Sequence, residues 1–171
     1  TALDEYCAKF GWNRINPIVR FADDFVAVCE SEKEAKHIKK EIAKFLKREI
    51  GLDLSDEKTK ISHITKGFDF LGFNIRQYQV GRYKTRSYRG QAGFKTIIKP
   101  SKQAQQRHLA QLKQIIRDYR GSSQAGLIGK LNPVIRGWGN YFRTCCAKAV
   151  FDRMTKLLFA KLRRWALFRH P

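Results

Sequence analysis

No run of eighteen apolar residues occurs anywhere in the 171-residue chain, which excludes a membrane-spanning helix. The opening Thr-Ala-Leu-Asp-Glu-Tyr lacks the basic head and apolar stretch of a signal peptide, so an intracellular, non-secreted protein is the expectation. Cysteine is sparse: Cys7, Cys29, Cys145 and Cys146 include no Cys-x-x-Cys, and adjacent residues such as Cys145 and Cys146 are poorly placed to share one tetrahedral metal. They read as reduced thiols. His37, His63, His108 and His170 form no ligand cluster and receive no role. The first residue is not Met, which suggests a processed or truncated piece of something longer.

Acidic residues are also scarce, but only in one half. Up to Gly81 the chain has 14 basic and 13 acidic residues; from Arg82 to Pro171 it has 21 basic residues and two acids, Asp118 and Asp152. The total of +20 is excessive for solubility alone and suits a polyanionic partner. Apolar residues make up 43% of the chain and charged residues 29%, enough to bury a core rather than remain disordered.

Pro-Ile-Val-Arg-Phe-Ala-Asp-Asp-Phe-Val-Ala-Val-Cys, residues 17–29, has two apolar β-rich runs around Asp23-Asp24 and fits a hairpin with the acids at its turn. Ser31 and Glu34 form a capping box, after which Ala35, Ile38, Ile42, Phe45 and Leu46 recur at helical spacing until Gly51. Leu52 to Ser55 reads as short and extended. Gly67 to Ile75 is strand-like, with a slip of apolar phase between Phe70 and Leu71 that suggests a bulge or a strand buried on both faces. Glycine, tyrosine and basic residues interleave from Gln77 to Lys99, as in a twisted hairpin or mobile linker. Three helical segments follow: one capped by Ser101 and ended by Gly121, one from Leu127 to Tyr141 that Pro133 must kink or split, and one carrying Phe151, Met154, Leu158, Leu162 and Trp165. The fold class is therefore α+β, with a mixed first half followed by a basic helical bundle.

Adjacent aspartates on a tight β-turn can hold Mg²⁺, a hard ion that takes oxygen ligands, with a nucleotide's phosphates supplying more. Nucleotidyl transfer needs two such ions, which two neighbouring carboxylates seldom hold alone. An exposed acidic turn is the alternative, since Asp is a common turn residue.

Phe21-Ala-Asp-Asp24 resembles the Tyr/Phe-Ala-Asp-Asp palm motif of reverse transcriptases encoded by group II introns. Leu52-Asp-Leu-Ser-Asp-Glu-Lys-Thr59 looks like the motif that follows in that family, and Phe68-Asp-Phe-Leu-Gly-Phe73 is similar to its primer-supporting strand. Leu131-Asn-Pro133 and Arg136-Gly-Trp-Gly-Asn-Tyr-Phe-Arg143 look like its thumb or maturase region. The resemblance implies a partial polymerase palm, built of a β-hairpin, a helix and further strands, followed by a helical thumb bundle. The implied domains are the C-terminal part of a palm at 1–81, a connecting hairpin or linker at 82–100 and a thumb or maturase domain at 101–171.

The same resemblance makes Asp23 and Asp24 catalytic metal ligands for Mg²⁺ or Mn²⁺, with Asp23 the more direct. It puts Lys58 near the incoming triphosphate as a charge or proton donor. Phe68, Leu71, Gly72 and Phe73 would position the primer, although Phe and Leu in a strand are more often core. The family's third catalytic aspartate and its fingers lie on an earlier stretch that nothing before Phe21 matches; Asp4, Asp53 and Asp69 are not assigned to that role. Half an active site is the expectation, completed by the N-terminal fingers and palm part of the same polymerase.

Phosphates are the expected target of Lys102, Arg107, Lys113, Arg117 and Arg120 along the first thumb-like helix, of Arg136 and Arg143, and of Lys156, Lys161, Arg163 and Arg164 along the last. Among the interleaved aromatics, Trp138 and Trp165 fall on apolar helical faces and read as core. The implied partners are group II intron RNA, an RNA template–DNA primer duplex and deoxynucleotide triphosphates, and the implied location is the bacterial cytoplasm or an organellar matrix. Two alternatives stay open: a non-catalytic RNA-binding module with a vestigial palm, and a reverse transcriptase of the retron type.

Overall fold

Ile18–Phe21 (β1) and Asp24–Ala27 (β2) pair antiparallel in a computed structural model that describes Glu5, residues 17–79 and residues 93–169. Phe21 lies opposite Asp24, so the two-residue turn is Ala22-Asp23, one residue earlier than the acid pair suggested. Asp24 is drawn into the ladder instead. The left-handed twist that a two-residue hairpin demands falls on Ala22, at φ 54°. Arg20 offsets some of that strain by donating a guanidinium hydrogen bond to the Ala22 carbonyl at 2.7 Å.

Helix α1, Glu32–Phe45, starts where the Ser31 hydroxyl accepts from the Glu34 amide at 3.2 Å. The Glu34 carboxylate returns the bond to the amide of Glu30 at 2.9 Å, one residue before the usual recipient. Ile38, Ile42 and Phe45 are buried along one face. A single π-helical turn, Leu46–Ile50, extends the helix to Gly51, whose φ of 72° lets the Leu52 amide close back on the Leu46 carbonyl at 3.1 Å. Leu52 to Ser55 joins no strand ladder among the described residues.

The chain forms two compact units, Thr1–Lys66 and Gly67–Pro171. The expected domains describe polymerase parts; the compact units divide elsewhere, after Lys66. In the second unit Phe68–Phe70 (β3), Phe73–Gln79 (β4) and Phe94–Pro100 (β5) form an antiparallel sheet in the order β3-β4-β5. The phase slip after Phe70 is neither a bulge nor a doubly buried strand. It is a hairpin turn at Leu71 (φ 49°) and Gly72 (φ 81°), where two successive positive φ angles reverse the chain. Of the expected linker, Phe94 to Pro100 is strand β5, while residues 82–92, with Tyr83 and Tyr88, lie outside the described residues.

Helices α2 (Lys102–Asp118), α3 (Gln124–Phe142) and α4 (Lys148–Arg169) complete the unit. Ser101 and Ser123 cap the first two by accepting from the Ala104 and Gly126 amides. Pro133 leaves the Gly129 carbonyl without its usual i+4 amide, yet α3 continues through it unsplit. Leu112, Leu127 and Leu131 form the buried centre, ringed by Ile115, Ile116, Val134, Ile135, Leu158, Leu162 and Trp165. The Trp165 indole also donates to the Tyr119 carbonyl at 3.2 Å, and Trp138 packs on Phe142 and Phe151, so both tryptophans are core as their spacing implied. No helix among the described residues is long and apolar enough to cross a membrane.

His108 is buried at 6% exposure, its ring stacked on Trp138 with centroids 4.5 Å apart and planes 6° from parallel. Burial lowers its pKa below the ordinary imidazole value. The unfolded chain therefore takes up the proton first. Stability from this site is complete above the unfolded pKa of roughly 6.5 and is lost progressively as pH falls below it. Urea melts between neutral and mildly acid pH should show that slope, and a His108→Gln variant should show less of it.

Candidate functional site

The hairpin tip presents Asp23 from the turn and Asp24 from the first position of β2, both exposed. Strand alternation puts Asp24 on the same face as Val19, Phe21 and Val26, whereas Arg20 and Phe25 share the other. Val19 and Phe21 on the Asp24 face are 55% and 63% exposed, so the carboxylate rises from an apolar surface open to solvent. Two adjacent carboxylates are hard oxygen donors of the kind a divalent cation takes. Among the described residues no group of three or more His, Cys, Asp or Glu side chains converges.

Lys58 is exposed on the 56–58 turn. What holds that segment was not apparent from the sequence. The Lys39 ammonium of α1 bonds the Asp56 carboxylate at 2.8 Å and the Thr59 carbonyl at 3.2 Å, clasping the segment from both sides of Lys58. That bond holds the Asp56 carboxyl below the usual carboxylate range. Lys39 and Asp56 also line an open cleft of about 620 Å³, with Leu54 and Ile61 between α1 and the 53–61 segment.

In the second unit Phe68 and Phe73 are half-buried on the sheet, and Leu71-Gly72 is the turn itself. Three contacts dock this turn on the helices. The Tyr141 hydroxyl donates to the Leu71 carbonyl at 2.8 Å, the Ser101 amide donates to the Gly72 carbonyl at 2.8 Å, and Phe73 packs on Tyr141 and Phe142 with centroids 5.2 and 4.9 Å away. The side chain of Phe73 is thus engaged in packing. Tyr141, absent from the sequence-derived site, joins turn to helix through a contact seventy residues away in sequence.

A methyl group at Gly72 would lie 3.5 Å from Phe142 and 3.7 Å from Ala104, ordinary van der Waals distances. Space is therefore not what requires glycine; the φ of 81° is. Gly72→Ala is expected to cost about 1–2 kcal/mol, the penalty of a left-handed L-residue, measured by chemical denaturation.

Of the basic candidates, Lys102, Arg107, Lys113 and Arg117 are exposed on α2, Arg136 on α3, and Lys156, Arg163 and Arg164 on α4; Arg143 is exposed just after α3. Lys161 is half-buried, and the Arg120 guanidinium lies over the Phe168 ring at 3.6 Å. Among the described residues none of these eleven side chains forms an ion pair. Asp118 accepts from Gln114, and Asp152 faces Lys148 at 3.6 Å. Burial pushes the Cys29 and Cys145 thiols up, which weakens them as nucleophiles.

Two family models match the chain. Reverse transcriptase (RNA-dependent DNA polymerase) covers residues 3–75, and the group II intron maturase-specific domain covers residues 105–171. The group II intron-encoded protein LtrA of Lactococcus lactis subsp. cremoris is 36% identical over 73 residues, which are 42% of this chain and 12% of LtrA. The COX1/OXI3 intron 2 protein of Saccharomyces cerevisiae is 35% identical over 72 residues, 42% of this chain and 8% of its own length. Protein YkfC of Escherichia coli is 35% identical over 65 residues, 37% of this chain and 17% of that protein. The chain thus spans only a small part of these relatives.

Proposed function

The chain belongs to the group II intron-encoded reverse transcriptase and maturase family, and from that premise we propose that it supplies part of the palm and the thumb of an RNA-directed DNA polymerase that also binds its intron RNA. The observation that carries this reading is the co-occurrence of the two matches in one chain, with the exposed Asp23-Asp24 pair at the hairpin tip inside the first and the cationic helices inside the second.

In this reading Asp23 and Asp24 would contribute carboxylate oxygens to bound Mg²⁺, which would supply activation of the attacking hydroxyl and charge neutralisation at the leaving pyrophosphate through two ions. The primer 3′-hydroxyl gives up its proton to solvent as its oxygen bonds to the α-phosphorus and the α–β anhydride breaks, and Lys58 would neutralise the departing pyrophosphate or give it a proton. The turn at Leu71-Gly72 and the flanking Phe68 and Phe73 support the primer end through backbone rather than through Phe73's ring. The remaining carboxylate and the template-binding surface come from the N-terminal part of the same polymerase. The exposed cations of α2 to α4 hold intron RNA or the template–primer duplex by phosphates and shape. Such work belongs where the intron is transcribed, in a bacterial cytoplasm or an organellar matrix.

Primer extension on an RNA template, by the polymerase assembled with its remaining parts, tests the catalytic half: extension that requires Mg²⁺ and deoxynucleotide triphosphates is expected. RNA binding with no extension under any divalent ion would leave only the RNA-binding module.

A further inference from the structure

Leu71 and Gly72 both have positive φ, 49° and 81°, but only the second is glycine. The left-handed region brings a leucine Cβ too close to the following carbonyl oxygen, so Leu71 keeps this conformation only where its surroundings over-determine it. Both carbonyls of the turn are taken by donors from the helical part of the same unit. The Gly72 carbonyl accepts from the amide of Ser101, the cap of α2, and the Leu71 carbonyl accepts from the Tyr141 hydroxyl in the last turn of α3, at 2.8 Å each. The first bond is backbone to backbone and survives any change of side chain. The bond to the strained residue depends on one hydroxyl.

Tyr141 is 52% exposed, yet its ring is pinned between two neighbours. It stacks on Phe73, the first residue of β4, with planes 29° apart, and meets Phe142 edge-on at 4.8 Å and 87°. Phe142 is itself buried. A ring already held by packing has little rotamer freedom left to lose when its hydroxyl bonds, so the bond is a directed one. Phenylalanine would satisfy the packing equally well. What the hydroxyl adds is its hold on Leu71. Drawing both turn carbonyls onto the helices also keeps two acceptors away from an approaching phosphodiester, whose oxygens take donors.

We infer that Tyr141 is a positioning residue for the primer 3′ end: it fixes the left-handed Leu71-Gly72 turn against α3, so that a helix of the maturase-specific region sets where the primer-supporting backbone stands. The inference rests on the reading of this turn as the primer support, and adds to it the residue that holds the turn and the helix from which it is held. Tyr141 touches no reacting atom in this role; it acts through the Leu71 carbonyl.

Tyr141→Phe keeps the ring and its packing on Phe73 and Phe142 and deletes only the hydroxyl. In the polymerase assembled with its remaining parts, single-turnover extension of a primer on an RNA template should slow about three- to tenfold in rate constant, the size of one net hydrogen bond. Its amplitude, and the deoxynucleotide concentration giving half the maximal rate, should stay within about twofold of the parent. In the full chain, hydrogen exchange at the Ser101 amide, the other anchor of the turn, should quicken by about the same factor. A purely structural contribution would lower the amplitude, which counts folded enzyme, and leave the rate constant alone. Tyr141→Leu, which lacks ring and hydroxyl, should slow extension at least as much. A parental rate constant in Tyr141→Phe overturns the inference whatever the exchange shows. So does a slowed rate constant with Ser101 exchange unchanged, because Tyr141 would then act by a route other than the turn. A parental polymerase that extends no primer fails at the underlying reading and takes the primer role with it, a result visible before any variant is made.

Discussion

Asp23→Ala is expected to reduce Mg²⁺-dependent primer extension by about a thousandfold or more while leaving RNA affinity near its parental value. A metal that loses its direct carboxylate forfeits several kcal/mol of transition-state stabilisation, and each 1.36 kcal/mol is about tenfold in rate. The local fold gives little reason for a structural collapse. Asp23 is exposed at the second turn position, the positive φ belongs to Ala22, and the bond that braces the turn runs from Arg20 to the Ala22 carbonyl. Asn is an equally good turn residue and keeps the shape, so Asp23→Asn separates charge from conformation. The two variants should fail alike. Extension retained by Asp23→Asn, in protein free of parental enzyme, would take Asp23 out of the metal site.

Local features of the fold were legible because their causes are local. A serine three residues before a free amide announces a cap, as Ser31 and Ser101 do, and Ser123, which the sequence reading passed over, acts the same way. The spacing of Ile38, Ile42 and Phe45 likewise states which side of α1 is inward. The turn at Leu71-Gly72 was not legible, because leucine at φ 49° has no local signature. It is held from outside, by the Ser101 amide and the Tyr141 hydroxyl. The acid pair was visible in the sequence, but its displacement by one residue depends on the ladder register and on Arg20. Nothing local marks Lys39, whose role arises only when the fold brings Asp56 and Thr59 to it. His108 was given no role for the same reason, since its partner Trp138 lies a helix away.

The same substitution at two leucines of one unit separates burial from everything else. Leu112 is 1% exposed between Leu127 and Leu131, while Leu167 on α4 is 59% exposed. Both lie within helices, where alanine is at least as good a helix former, so propensity does not favour either parent residue. Leu112→Ala removes buried methyl groups and leaves a cavity in packed surroundings, a change expected to cost about 3–5 kcal/mol. For a unit of this size each kcal/mol lowers the melting temperature by roughly 4–8 °C, so a fall of about 10 °C or more is expected at Leu112. Leu167→Ala should stay within about 0.5 kcal/mol. The proposed RNA-binding surface should follow the same division. The cations of α2, α3 and α4 are placed by a centre to which Leu112 contributes directly, so Leu112→Ala should lower the fraction of chain able to bind RNA as the unit melts, with the salt slope of the folded fraction unchanged. Equal melting of the two variants would mean that the Leu112, Leu127 and Leu131 cluster does not hold the helices together, and the basic faces would then lack the rigid support that phosphate binding by shape requires.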